Sequence, residues 1–236
     1  MNSTNYNLQP SFWSVADYCS NDVPYWVANC YQDIVPYIEK FLCAQHPYRK
    51  GPVCPFIPSV RKNNMVFFSY IENNIDIENQ IHCVKRCVEL LLDEKKKGLF
   101  GTVIILLHEN FEIERLLDIQ HSSKRYCVER KLMLGALYPT SNAMSLHSNN
   151  FFPLRTPTPT LVIRDMVQSD LMFLNQRKYN INEKIFFLKN YINNFSQTQK
   201  ASRKNFLRSK KLYLYYWMQK SMLYFLLLML FFWVFF

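Results

Sequence analysis

A chain of 236 residues with 49% hydrophobic and 19% charged side chains has the length and composition of one globular domain with appendages, and leaves no room for a second full domain. Four glycines against nineteen phenylalanines and fifteen tyrosines argue against a glycine-rich phosphate loop. The net charge of +10 is local: residues 1–174 carry 17 basic and 17 acidic side chains, whereas residues 175–220 carry eleven basic ones against Glu183 alone. The folded part is therefore neutral, which disfavours a nucleic-acid binder.

The seven cysteines, Cys19, Cys30, Cys43, Cys54, Cys83, Cys87 and Cys127, are odd in number and form no C-x-x-C pair, the usage expected of a reducing compartment. The start, MNSTNYNLQPSFW, lacks the basic residues and apolar run of a secretory signal peptide, so export by that route is not expected.

In chain order, residues 12–20 and 25–43 read as helical, the second with Trp26, Val27, Cys30, Ile34, Ile38, Phe41 and Leu42 near helical spacing and Pro36 as a kink. His46 to Pro58 is punctuated by prolines and reads as an ordered turn or a site. Met65 to Ile71 reads as a strand. Asn74 or Asp76 then caps a helix through Ile77, Ile81, Val84, Val88 and Leu91, the clearest helical pattern in the chain. Lys95-Lys96-Lys97-Gly98 supplies the cations and glycine that end a helix. Gly101 to Leu107 is a continuous apolar run suited to a buried strand.

A helix over 111–130 and strands at Leu132–Tyr138 and Thr160–Arg164 follow, the strands separated by a polar stretch long for a structureless loop. After a turn with Asp170, a last domain helix is expected at 181–195. The order predicts an α+β fold: helices packed on a mixed sheet of about four strands, with an N-terminal helical segment and a C-terminal apolar helix. The expected organisation is an N-terminal segment at 1–24, a globular domain at 25–175, a basic helical linker at 176–211 and an apolar membrane anchor at 212–236.

From Ser221 to Phe236 sixteen residues pass without a charge, about 24 Å of helix against a ~30 Å hydrocarbon core. Extension back to Leu212 brings in Gln219 and Lys220 and allows either a tilted span or an embedded anchor. Trp217, Leu223, Phe225, Leu226, Leu230, Phe232, Trp233 and Phe236 are the expected lipid contacts. Arg203, Lys204, Arg208, Lys210 and Lys211 should hold the adjoining end at anionic headgroups and keep the folded domain on the cytoplasmic side. The bland alternative is a buried or oligomer-forming helix.

His46, Arg49 and Cys54 fall within nine residues. His and thiolate are ligand types for zinc or heme iron, but no second cluster of matching spacing appears, and a rigid structural turn explains the same residues. His82, Cys83 and Cys87 lie on one helix and suggest a metal site, but the periodicity places Cys83 and Cys87 beside the apolar stripe, where core packing is the favoured reading. His108-Glu109 reads as a surface turn. Arg155 and Arg164 bracket the last strand candidate, where arginine suits carboxylate or phosphate, or an ion pair of Arg164 with Asp165 or Asp170. No G-x-S-x-G, G-x-x-x-x-G-K, H-E-x-x-H or G-x-G-x-x-G is present.

The blocks HPYRKGPVCPFIPSV, LMLGALYPTS, HSNNFFPLRTPTPTLVIRDM and SDLMFL resemble an uncharacterised family, domain of unknown function 6875, over residues 25–175. The order Phe152-Pro153-Leu154-Arg155 departs from that family's arginine-before-proline pattern and weakens Arg155 as a site residue. More distantly, a Cys-Pro-Phe block before an α/β core is similar to a family that includes heme-dependent N-hydroxylases. The resemblance implies a boundary and candidate positions, not a reaction or a cofactor. The leading expectation is a cytosol-facing domain tethered to membrane lipid through residues 203–236, with a site for a small anionic molecule at His46, Arg49, Cys54, Arg164 and Asp170. A non-catalytic membrane-docked interaction protein and a heme- or metal-dependent oxidoreductase, with His46 and Cys54 as ligands, are the alternatives.

Overall fold

The computed structural model describes residues 11–95, 100–196 and 203–235, with side chains described as far as Leu226. The chain divides into two compact units, Met1–Cys127 with Leu132–Asp165, and Val128–Lys131 with Met166–Phe236.

The first unit is built on a mixed five-stranded sheet in the order β1-β2-β3-β5-β4. Its strands are β1 (Trp13–Ser14), β2 (Val66–Tyr70), β3 (Thr102–Leu106), β4 (Leu132–Leu137) and β5 (Thr160–Asp165). Strands β2 and β3 run parallel, joined by the crossover helix α3 (Ile77–Lys95), and the remaining pairs are antiparallel. The α+β reading holds, with one strand more than expected.

That extra strand corrects the helix expected at 12–20. Trp13 and Ser14 pair with Phe68 and Phe67, Phe12 stacks on Phe67 at 4.8 Å, and Trp13 lies 6.3 Å from Phe68. Tyr18 stacks on Tyr31 at 3.8 Å, and Tyr31 meets Phe68 edge-on. Aromatic pairs contribute about 0.5–1.5 kcal/mol each beyond their buried area, more than the few tenths by which helix propensity separates such residues.

The next helix, α1 (Tyr25–Pro36), continues as a π-helix over Tyr37–Leu42, and Pro36 sits at the junction. Proline removes an N–H and crowds the preceding turn, so the change of pitch at that point has a local cause. A short helix, α2 (Ile57–Lys62), starts with Pro58 in its first turn, where the missing N–H costs nothing.

Asp76 caps α3: its carboxylate accepts the N–H of Asn79 at 2.8 Å, which holds the carboxyl below its ordinary value. Helix α4 (Ile113–Glu129) is tied to α3 by Arg115, which donates to the side-chain oxygen of the buried Gln80 at 2.8 Å and to the carbonyl of Ile75. Every residue of β3 is buried, as expected for a central strand covered on both faces. Cys83 and Cys87 are core groups as expected, and burial pushes the Cys87 thiol up to about 12.

Asp165, at the end of β5, accepts a hydrogen bond from Lys95 of α3 and another from the N–H of Gly101 at 3.0 Å. The carboxylate therefore fastens the crossover helix and the start of β3 to β5.

The second unit pairs α6 (Ile181–Phe195) with α7 (Arg203–Phe235), preceded by the short α5 (Leu171–Leu174). Asn180 and Glu183 form a reciprocal capping box at the start of α6. Tyr216 of α7 donates to the side chain of Asn175 at 2.8 Å, and Asn205 and Tyr191 both donate to the carbonyl of Gln168.

No helix among the described residues is long and apolar enough to cross a membrane. The transmembrane alternative expected at 212–236 finds no support there: Gln219 and Lys220 interrupt the described part of the stretch, and its side chains beyond Leu226 lie outside the described residues. Of the expected lipid contacts, the side chains of Leu230, Phe232 and Trp233, and Phe236 as a whole, lie outside the described residues.

Candidate functional site

The proline-rich turn folds back as a narrow hairpin. Gln45 bridges Pro52, the N–H of His46 donates to the carbonyl of Gly51 at 2.9 Å, and the N–H of Val53 donates to that of Ala44 at 2.8 Å. Gly51 closes it at φ +90°, a backbone region that L side chains rarely occupy. A Cβ placed there would also sit 3.4 Å from Nη1 of Arg49. Gly51→Ala should lower stability by about 1–2 kcal/mol, read as the shift in urea midpoint; an unchanged midpoint would show that the turn relaxes freely.

His46, Arg49 and Cys54 share this turn but engage three different sets of partners. Arg49 turns back on the chain and donates to the carbonyls of Lys50, Pro52 and Val53 at 2.9, 2.6 and 3.0 Å. It holds the hairpin in shape. Cys54, a free thiol, donates its N–H to the carbonyl of Leu42, the residue before Cys43.

His46 faces the long 138–159 loop. Its ring, only 4% exposed, lies 5.0 Å from Phe151 and 5.5 Å from His147, with Tyr48 on a further side.

The protonation of that ring follows from its partners. The backbone N–H of Tyr48 donates to Nδ1 at 3.0 Å, so Nδ1 is unprotonated and Nε2 carries the proton toward Ser145 Oγ at 3.3 Å. The ring donates to the serine rather than taking its proton, the reverse of what a serine nucleophile needs. Ser145 also accepts the N–H of His147, and its own N–H donates to the carbonyl of Phe151. The 138–159 loop is fastened again by Arg155, which donates to the carbonyl of Ser141 at 2.8 Å and stacks 3.9 Å over Phe152.

Protonating His46 would turn Nδ1–H against the Tyr48 N–H. Burial, Arg49 and His147 all hold the ring below its ordinary value of 6.5. The neutral ring's contribution to stability is therefore complete above about pH 6.5 and is lost as pH falls from there toward the lowered value. Urea midpoints between pH 7.5 and 5 should fall more for the native chain than for His46→Gln. Parallel curves would mean the ring titrates normally.

Arg164 donates to the carbonyl of Asp165 and lies 5.7 Å over the ring of Phe56. Asp170 belongs to the second unit, where its carboxylate accepts the N–H of Val167 at 2.7 Å and caps the following turn. His108 accepts the N–H of Asn110 and lies 5.6 Å from Trp26. Among the described residues no group of three or more His, Cys, Asp or Glu side chains is placed to hold a metal ion.

Sequence reasoning did not single out Ser145, His147 and Phe151 as partners of His46. The signals pointing there were the length of the polar stretch and the block HSNNFFPLRTPTPTLVIRDM, which contains His147 and Phe151 but does not say what they touch.

The chain matches the family model described as a domain of unknown function (DUF6875) over residues 31–206. It belongs to this family. The match takes in the hairpin, the 138–159 loop, the sheet beyond β1, and all of α6, and so runs past the boundary near residue 175 expected from the resemblance. No curated protein and no solved structure matches the chain.

Proposed function

We propose that this member of the domain of unknown function 6875 family is a cytosol-facing domain held at an anionic membrane surface by α7, whose far end embeds in lipid without spanning it. The supporting observation is the exposure of α7. Leu214, Trp217, Met218, Met222, Leu223, Tyr224, Phe225 and Leu226 are all exposed, and the five consecutive residues 222–226 cover more than one full turn at 3.6 residues per turn. A helix packed on its own fold keeps one covered face.

Length accounts for this. Helix α6 has 15 residues and α7 has 33, about 22 and 50 Å at 1.5 Å per residue, so α7 outruns its neighbour by roughly half its length. Along the paired part, Phe206, Ser209, Tyr213 and Tyr216 stay covered or half-covered at helical spacing. Beyond Lys220 that period stops.

Exposed apolar surface of this extent marks an interaction or lipid-facing site. The exposed Arg203, Lys204, Arg208, Lys210 and Lys211 stand immediately before it, and a cationic collar beside an apolar end fits a headgroup layer over acyl chains.

The test is sedimentation of the full chain with vesicles of phosphatidylcholine alone and with phosphatidylserine added. Binding to the mixed vesicles that persists partly at 1 M salt is the expected result. A protein that stays in the supernatant, or that forms defined oligomers without lipid through the same residues, would replace this reading with a protein-docking one.

A further inference from the structure

The hairpin register set by the Gln45–Pro52 bridge places Ala44 opposite Val53. The N–H of Val53 bonds the carbonyl of Ala44 and the N–H of Cys54 bonds that of Leu42, at 2.8 and 2.9 Å, so hydrogen bonds clasp the backbone on both sides of Cys43. Backbones joined by such bonds lie about 4.5–5.5 Å apart at Cα, comparable with the ~4.4–6.8 Å that a disulfide spans. Both residues are half-buried free thiols, whereas Cys30, Cys83, Cys87 and Cys127 are fully buried.

Cys43 has a second property that its partner does not share. It lines a cavity of about 500 Å³ together with Val15, Glu39, Pro58, Arg61 and Lys62. Arg61 pairs with Glu39 at 2.5 Å, and its positive charge favours the Cys43 thiolate. One thiol therefore opens on a space that admits a small oxidant.

We propose that Cys43 and Cys54 form an oxidisable dithiol, with Cys43 the thiol attacked by a hydroperoxide and Cys54 the resolving one. In the first step the Cys43 thiolate attacks the nearer peroxide oxygen. The O–O bond breaks, an S–O bond forms, Cys43 becomes a sulfenic acid, and the alcohol, or water from hydrogen peroxide, leaves with a proton. In the second step the Cys54 sulfur attacks Cys43 Sγ, the S–O bond breaks, and water leaves with the Cys54 proton. Two thiols are oxidised by two electrons and the hydroperoxide is reduced by two.

The product closes a covalent ring around residues 44–53, the turn that carries His46 and Arg49. Burial holds the Cys43 thiol above its ordinary value, with Arg61 opposing that shift, so the first step accelerates as pH rises above neutrality.

The experiment is non-reducing peptide mapping of the full chain after hydrogen peroxide treatment and alkylation. The expected result is one new cross-linked peptide pair joining Cys43 to Cys54, reversed by dithiothreitol, with the four buried thiols alkylated only after denaturation. Cys54→Ser should instead leave a dimedone-reactive sulfenic acid at position 43. The native map alone decides if that variant fails to fold. Oxidation concentrated at the exposed Cys19, or progression of Cys43 to a sulfinic acid in the native chain without any disulfide, would overturn the proposal.

Discussion

Replacing Arg203, Lys204, Arg208, Lys210 and Lys211 together with glutamine should weaken binding to phosphatidylserine-containing vesicles by at least a thousand-fold. Each exposed cation near an anionic surface contributes about 1 kcal/mol, so five contribute about 5 kcal/mol, and every 1.4 kcal/mol is a factor of ten. All five side chains are exposed, so their removal leaves the packing of α6 against α7 in place.

The complementary variant changes Trp217, Leu223, Phe225 and Leu226 to serine and keeps the cations. It should still bind at low salt and lose binding at 1 M salt, where the screening length shrinks to about 3 Å. Partition measurements at two ionic strengths separate the two contributions. Equal salt dependence in both variants would mean that α7 is not divided into a headgroup-facing collar and a lipid-facing end.

Asp165→Ala should destabilise the first unit by about 3 kcal/mol. Removing one partner of a buried ion pair costs about 3–5 kcal/mol because the other charge is left unpaired. Here the Lys95 side chain is 21% exposed and Asp165 6%, so water reaches the stranded ammonium and the lower figure applies. The substitution also strips the acceptor from the buried Gly101 N–H, and a buried donor left unsatisfied costs about 1–3 kcal/mol. Thermal unfolding should move down by about 6–12 °C, at roughly 2–4 °C per kcal/mol for a chain of this size.

The double variant Lys95→Met, Asp165→Ala should recover part of that loss, since it leaves no orphaned charge. An Asp165→Ala chain within a degree or two of the native midpoint would show that the pair is solvent-screened and peripheral.

These groups differ in how far the sequence reveals them. The Asp76 cap, the apolar stripe of α3, the continuous run of β3 and the span of α6 are readable because each depends on residues at most a few positions apart. The cap is Asp76, one of the two residues the sequence offers, the stripe needs a 3.6-residue period, and the capping box of Asn180 and Glu183 is equally local. The charge of the tail was equally legible, being a count. Membership of the family was legible from the HPYRKGPVCPFIPSV and TPTPTLVIRDM blocks, whose spacing the match over residues 31–206 supports.

Other features depend on groups far apart in the chain. β1 exists because Phe12 and Trp13 meet Phe67 and Phe68, a contact across more than fifty positions that outweighs a weak helical period in the first. His46 finds the partner for its Nε2 proton in a serine 99 residues away, and Asp165 owes its role to a lysine 70 residues away. Local pattern fixes which segments become helices and strands, and where charge accumulates, because propensity and periodicity act within a few turns. Partners, burial and the protonation they impose arise only when the sheet closes and the loops at its edges meet.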